Sequence, residues 1–229
     1  MRQRVIILLS GGMDSTTMLY HVLDRGYEVV AVSFDYGQRH VIELSCAKEI
    51  TTRLNLSHKI LNIDLSQVGG SPLTDPTIRI PDQTEGRQID TVVPFRNTIF
   101  IVYAAAYASQ RGITNLFISA VLEDYRSYRD CRRDFFESLE RTLQLGAKED
   151  HTEFRIHTPF IKKTKAEILK EGVRLKVPYE LTHTCYRGTR PACGTCDACR
   201  ERIAAFKENG LMTPLSMKLR SIGNEMVVR

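Results

Sequence analysis

The chain has 229 residues, a formal net charge of +5, 42% hydrophobic and 26% charged residues, and six cysteines. That length carries one α/β domain with a small appendage, the composition is that of an ordinary globular protein, and no apolar run has membrane-spanning length. The charge is too small and diffuse to predict a duplex-binding surface, so direct nucleic-acid binding is not expected and the lysines and arginines are expected around small anions.

The first predicted strand covers residues 5–9 and starts almost at residue 1. That leaves little room for a leader, so a cytoplasmic location is the expectation. Ser10-Gly11-Gly12-Met13-Asp14-Ser15 follows, and residues 16–23 read as a helix. Glycines on a strand-to-helix turn let the backbone bend sharply and approach a ligand closely. The first helical turn offers unpaired N–H groups and the positive end of a dipole. With the hydroxyls of Ser10, Ser15 and Thr16, this stretch forms a cradle for phosphate or diphosphate.

A second strand over 27–35 ends in Asp35, and Tyr36-Gly37-Gln38-Arg39-His40 leads into a helix over 41–54. Ile42, Leu44, Ala47, Ile50 and Leu54 fall at helical spacing there, and Cys46 reads as a buried apolar residue. A third strand is expected over 58–65. This alternation predicts a parallel sheet with ligands at the carboxyl ends of its strands, so Ser10 and Asp35 should face one crevice. Residues 66–92 hold Gly69-Gly70, three prolines and no sustained period, and are expected to form a mobile lid.

Val93-Pro94-Phe95-Arg96-Asn97 leads into a helix over 98–109, apolar on nearly every side and so expected to be buried. A fourth strand over 116–121 runs into a polar loop containing Asp124 and Arg132. A helix carries Phe135, Phe136, Leu139 and Leu143 on one face, and Cys131 before it reads as a packing residue. A short strand at 154–157 follows. Thr164, three residues before Glu167, has capping-box spacing for the helix that begins with Lys165.

Cys185, Cys193, Cys196 and Cys199 have the spacing x7, x2, x2. Two-residue gaps let thiolates converge on one ion, and Gly194 permits the knuckle. The pattern favours structural zinc over an iron–sulfur cluster, and both over two disulfides. The chain is thus divided into an α/β unit over 1–182, a zinc-binding segment over 183–209 and a tail over 210–229.

The Ser10–Ser15 hexapeptide resembles the pyrophosphate loop (PP-loop) of the ATP pyrophosphatases. It lacks the Gly-Lys-Ser/Thr of a Walker loop and the third glycine of the dinucleotide fingerprint. The wider pattern resembles the QueC family of queuosine precursor synthesis. It comprises Phe34-Asp35-Tyr36-Gly37-Gln38-Arg39-His40, Val93-Pro94-x-Arg96-Asn97, Tyr128-x-Asp130-Cys131-Arg132, Lys165-Ala166-Glu167 and the cysteine segment from Thr184, and runs to about residue 206.

The resemblance implies a PP-loop α/β fold, ATP, magnesium, structural zinc and a homodimer. It implies that ATP adenylates the carboxylate of 7-carboxy-7-deazaguanine, ammonia displaces AMP to give the amide, and a second ATP drives loss of water to the nitrile. Leu9, Ser10, Gly11, Gly12, Met13, Asp14, Ser15, Thr16, Asp35 and Gln38 are then the nucleotide-binding candidates. Arg96 and Lys165 neutralise phosphate charge, Asp14 or Asp124 holds magnesium, Asn97 orients substrate, and Arg132 completes the catalytic set. The family usually has glycine at Phe95, Thr-Gly at Ser119-Ala120, and Ser-Gly-Tyr-Pro where Arg126-Ser127-Tyr128-Arg129 stands. These departures leave the acceptor amine open between ammonia and a larger amine, such as a protein N-terminus in a defence system. A PP-loop transfer-RNA thiolation enzyme and a nucleotide-binding module without catalysis are the other readings.

Overall fold

The computed structural model describes residues 2–80, 82, 91–148 and 153–214. Five strands form one parallel sheet: β1 (Arg4–Leu8), β2 (Glu28–Asp35), β3 (Ser57–Asn62), β4 (Asn115–Phe117) and β5 (Arg155–His157), in the order β3-β2-β1-β4-β5. The order reverses between β1 and β4, where open parallel sheets bind ligands. The register places Leu8 beside Val32 and Ile7 beside Phe117, so the loops after β1, β2 and β4 leave from one edge.

The helices are α1 (Met13–Asp24), α2 (Ile42–Arg53), α3 (Arg96–Ser109), α4 (Asp124–Ser127), α5 (Arg133–Gly146), α6 (Lys165–Arg174) and α7 (Asp197–Glu208). The period-two pleat sorts the strand side chains between two faces. Val5, Ile7 and Leu9 join Met18, Leu19 and Val22 of α1, Ala47 and Ile50 of α2 and Ile168 of α6. Ile6 and Leu8 join Ile101, Ala104 and Ala108 of α3 with Phe136 and Leu139 of α5. Each fully buried aliphatic side chain contributes about 1.5–3 kcal/mol. That burial on both faces holds the β1 end, and hence the loop after it, rigidly in place.

The cysteine segment does not stand apart from this body. Cys185, Cys196 and Cys199 are fully buried in the core that contains Ile6 and Leu8. Met13 packs with Leu169, Tyr179, Ala205 and Phe206, joining α1 to α6 and α7.

Several expectations change. The first helix begins at Met13 rather than residue 16, with Gly12 as its cap. The fourth strand has three residues, not six. Ile118 makes one more bond, to the carbonyl of His157, and the chain then turns toward Lys163. Helix α3 is not buried all round, because Val102 and Tyr103 are exposed. Apolar composition gave no direction to its faces. Within residues 66–80, the part 71–74 and Ile80 are packed rather than free: Ser71, Leu73, Thr74 and Ile80 are buried, and Arg39 donates to the carbonyls of Pro72 and Ile78. The expected lid's residues 83–90, the side chains of Arg126 and Ser127, and the tail from 215 lie outside the described residues.

Candidate active site

The glycine turn after β1 is built as its sequence requires. Gly11 has φ +91°, and a Cβ there would stand 2.2 Å from the Glu43 carbonyl oxygen. Ser10 Oγ lies 2.9 Å from Ser15 Oγ and accepts from the Gly12 N–H at 3.2 Å. Asp14, Ser15 and Thr16 follow in the first turn of α1, whose dipole and free amides favour an anion. The turn is pinned from outside by the His183 N–H, which donates to the Gly11 carbonyl at 3.1 Å.

Lys165 opens α6 beside this loop. Thr164 caps the helix with a complete capping box, accepting from the Glu167 N–H while the Glu167 carboxylate accepts from the Thr164 N–H. Such a cap contributes about 1 kcal/mol and fixes where the lysine emerges. The Lys165 N–H donates to Glu123 Oε1 at 2.9 Å. Its Nζ lies 2.7 Å from Glu201 Oε2 and 3.5 Å from Asp14 Oδ2. Burial works against this ammonium, but Asp14, Asp124 and Glu201 outweigh it and hold the lysine well above its ordinary pKa. Asp124 accepts from the Val121 N–H. Burial first, then Asp14 and Glu201, push its carboxyl up to about 6 against the pull of Lys165.

A second cation, Arg96, begins α3 among tyrosines. Burial disfavours its charge, but Tyr36, Tyr128 and Tyr186 outweigh that and raise its pKa. Burial first, then Tyr128, hold the Tyr186 phenol well above its ordinary pKa against the pull of Lys165. Tyr128 Oη lies 2.7 Å from Thr91 Oγ1. Glu43 is pushed up to about 8 by burial, against Arg96 and a hydrogen bond from Gln38. His40 is pushed down to about 3 by burial, then by Arg96 and His183. Phe95, just before Arg96, takes φ +54° and is 75% exposed. A non-glycine residue in that conformation costs about 1–2 kcal/mol.

Among the described residues, several buried polar atoms around this crevice have no hydrogen-bond partner. They include Asp14 Oδ1, Thr16 Oγ1, Ser119 Oγ, Glu123 Oε2, Arg132 Nε and His183 Nε2. Buried polar groups are normally paired, so this edge of the sheet presents donors and acceptors suited to a polar ligand. Asp14 and Asp124 are oxygen donors beside a phosphate cradle, which fits a hard divalent cation.

The four cysteine sulfurs all lie within 4.8 Å of one another. A four-sulfur zinc site with Zn–S about 2.3 Å needs S···S separations of about 3.8 Å, and Cys193 Sγ lies 3.9 Å from Cys199 Sγ. The Cys193 and Cys196 amides donate to the sulfurs of Cys185 and Cys193, both at 3.4 Å. The set fits a closed four-thiolate site.

The expected residues divide into three groups. The loop residues, Asp124 and Lys165 come together, while Arg96 heads α3 beside Tyr36. Met13 and Gln38 are turned inward. Met13 is in the core, and the Gln38 amide locks its own turn, accepting from the Tyr36 N–H and donating to the Phe34 carbonyl. Leu9 is buried and its N–H continues the pairing to Val32, while Asp35 ends β2 with its carboxylate accepting from the Gly37 N–H at 3.5 Å. Asn97 and Arg132 are tied instead to the segment around residues 125–131. Asn97 donates to the Asp130 carbonyl and to Cys131 Sγ, and Arg132 caps α5 with its guanidinium over the Tyr125 ring. Sequence reasoning did not single out Glu43, Glu123, His183, Glu201 or Arg202. Only Glu123 carried a signal, as the neighbour of Asp124.

A family model described as "Queuosine biosynthesis protein QueC" matches residues 4–210. Proteins named 7-cyano-7-deazaguanine synthase are similar throughout. The one from Clostridium kluyveri is 46% identical over 94% of this chain and 98% of its own. That from Thermoplasma volcanium is 46% identical over 94% and 91%, and that from Nostoc punctiforme 42% over 93% and 98%. Among solved structures, the U34-tRNA thiolase NcsA from Methanococcus maripaludis, with its 4Fe-4S cluster, aligns at TM-score 0.53 and 16% identity, over 91% of this chain and 66% of that one. NMN synthetase from Francisella tularensis aligns at TM-score 0.52 and 14% identity, over 93% and 79%. At these identities the two structures share the fold alone.

Proposed function

The chain belongs to the QueC family of ATP-dependent enzymes, and from that premise we propose that it adenylates the carboxylate of 7-carboxy-7-deazaguanine and passes the acyl group to ammonia. The amide formed is activated by a second ATP and loses water to give 7-cyano-7-deazaguanine. A carboxylate is a poor acyl donor because oxide would have to leave, and AMP supplies a good leaving group. Charge builds on the phosphates as diphosphate departs, so fixed donors and cations lower the barrier. Positioning and electrostatics suffice without a protein nucleophile.

One observation supports this reading most. A glycine cradle, a buried lysine held between Asp14 and Glu201, and a set of unpaired buried polar atoms come together where the strand order reverses. In the proposal, residues 10–15 and Thr16 hold the diphosphate, with Leu9 and Met13 supplying backbone. Arg96 and Lys165 neutralise phosphate charge. Asp35 and the turn locked by Gln38 border the adenosine, and Asn97 and Arg132 position the acid. Asp14 and Asp124 would hold magnesium, which when bound screens phosphate charge. Cys185, Cys193, Cys196 and Cys199 would hold zinc, which ties the C-terminal segment to the core. A cytoplasmic homodimer is part of the proposal.

The test is to incubate the purified protein with ATP, magnesium, 7-carboxy-7-deazaguanine and ammonia, and to weigh the products by mass spectrometry. Amide and nitrile are expected, with AMP. Formation of neither sinks the proposal, and a conjugate formed only when a peptide amine is added reassigns the acceptor.

A further inference from the structure

Two consecutive residues of α7 tie the cysteine segment to the phosphate loop by separate routes. Arg202 is 1% exposed. It donates to Thr182 Oγ1 at 2.7 Å, to Thr184 Oγ1 at 3.1 Å and to the Tyr179 carbonyl at 2.8 Å. The stretch it clamps includes His183, whose N–H holds the Gly11 carbonyl, and Tyr179, whose hydroxyl lies 2.9 Å from Thr17 Oγ1. Glu201, two residues beyond Cys199, instead reaches Lys165 Nζ at 2.7 Å.

The lysine's other ion-pair partner is Asp14, at 3.5 Å. An ammonium has three donors. Glu201 takes one at close range, Asp14 faces a second at longer range, and a third is left for a phosphate oxygen. Without Glu201 the nearest anion is Asp14. Lys165 would then close on it, withdraw from the phosphates and occupy a carboxylate of the loop itself.

We propose that Glu201 is a positioning residue for Lys165, holding its ammonium at the phosphate loop and off Asp14. The cysteine-bearing helix α7 is then part of the nucleotide site and not only a staple for the C-terminal segment. This rests on Lys165 as a phosphate-binding cation and is independent of which acid is activated.

The test measures binding of α,β-methylene-ATP with magnesium by titration calorimetry. It compares the wild-type chain, Glu201→Gln, Lys165→Met and the double variant, with zinc content and melting temperature recorded for each. Glu201→Gln should weaken binding about tenfold, the low end of what removing an orienting partner costs, with zinc content and melting temperature unchanged. In the Lys165→Met background the same change should cost nothing more, because a residue acting only through Lys165 has no effect once Lys165 is gone. Unaltered affinity in Glu201→Gln overturns the inference. So does an equal loss in both backgrounds, or a loss that tracks departure of zinc. A wild-type chain that does not bind the analogue overturns the proposed function and this inference together. Normal wild-type binding with an indifferent Glu201 overturns the inference alone.

Discussion

Replacing Gly11 by alanine tests whether the phosphate loop is held by backbone packing. At φ +91° an L-residue is strained, which costs about 1–2 kcal/mol. The new Cβ would stand 2.2 Å from the Glu43 oxygen and 2.8 Å from the Ala47 nitrogen. Both are main-chain atoms of α2, so no rotamer change relieves the clash, and overpacking of this kind costs about 1–3 kcal/mol. The sum is about 2–5 kcal/mol. For a chain of this length that lowers the melting temperature by roughly 4–20 °C. Gly12 is the control. A Cβ there would meet the Ser10 hydroxyl at 3.2 Å, a side-chain atom that can move, and has no φ strain. Its alanine variant should therefore melt close to the wild type. Thermal unfolding of both variants, followed by circular dichroism, reads this directly. Equal melting temperatures for Gly11→Ala and wild type would refute the argument that α2 fixes the loop.

The Glu43 carboxyl is raised from 4.5 to about 8. Its contribution to stability is therefore present in full below pH 4.5 and is lost as pH rises through 8, a range worth up to about 5 kcal/mol. Glu43→Gln removes that loss, so its melting temperature relative to wild type should climb between acid and mildly alkaline pH; a constant difference would contradict the assignment. Arg202→Met leaves the Tyr179 carbonyl and two threonine hydroxyls without their charged donor. It should cost about 3 kcal/mol, a fall of roughly 6–12 °C, and a melt within a degree of wild type would count against the clamp. Removing metal with a strong chelator should lower the melting temperature and abolish binding of α,β-methylene-ATP together, because α7 carries both links to the loop. Elemental analysis should find zinc, and iron with sulfide would contradict the zinc reading.

What the sequence made legible is what short spacing encodes. The glycine turn, the capping box at Thr164 and Glu167, and the four cysteines each lie within a few residues, and geometry over that span follows from local rules. The alternation of strand and helix was readable for the same reason. Contacts between distant elements left no such trace. Nothing about Glu201 on a polar helix announces that it meets Lys165, and Arg202 reads as a solvent-facing charge although it is among the largest fully buried side chains. Met13 sits within the loop motif yet faces the core, because α1 begins there and its first turn must pack on α6 and α7. The fourth strand reads too long in the sequence because Ile118, Ala120 and Val121 keep it apolar after the ladder ends.

The account turns on an acid oxygen attacking the α-phosphate of ATP. The most direct measurement labels the carboxylate of 7-carboxy-7-deazaguanine with heavy oxygen, supplies ATP and ammonia, and weighs the AMP released. Heavy oxygen in the AMP phosphate is the predicted result. Unlabelled AMP, or ADP and inorganic phosphate in its place, would contradict the account.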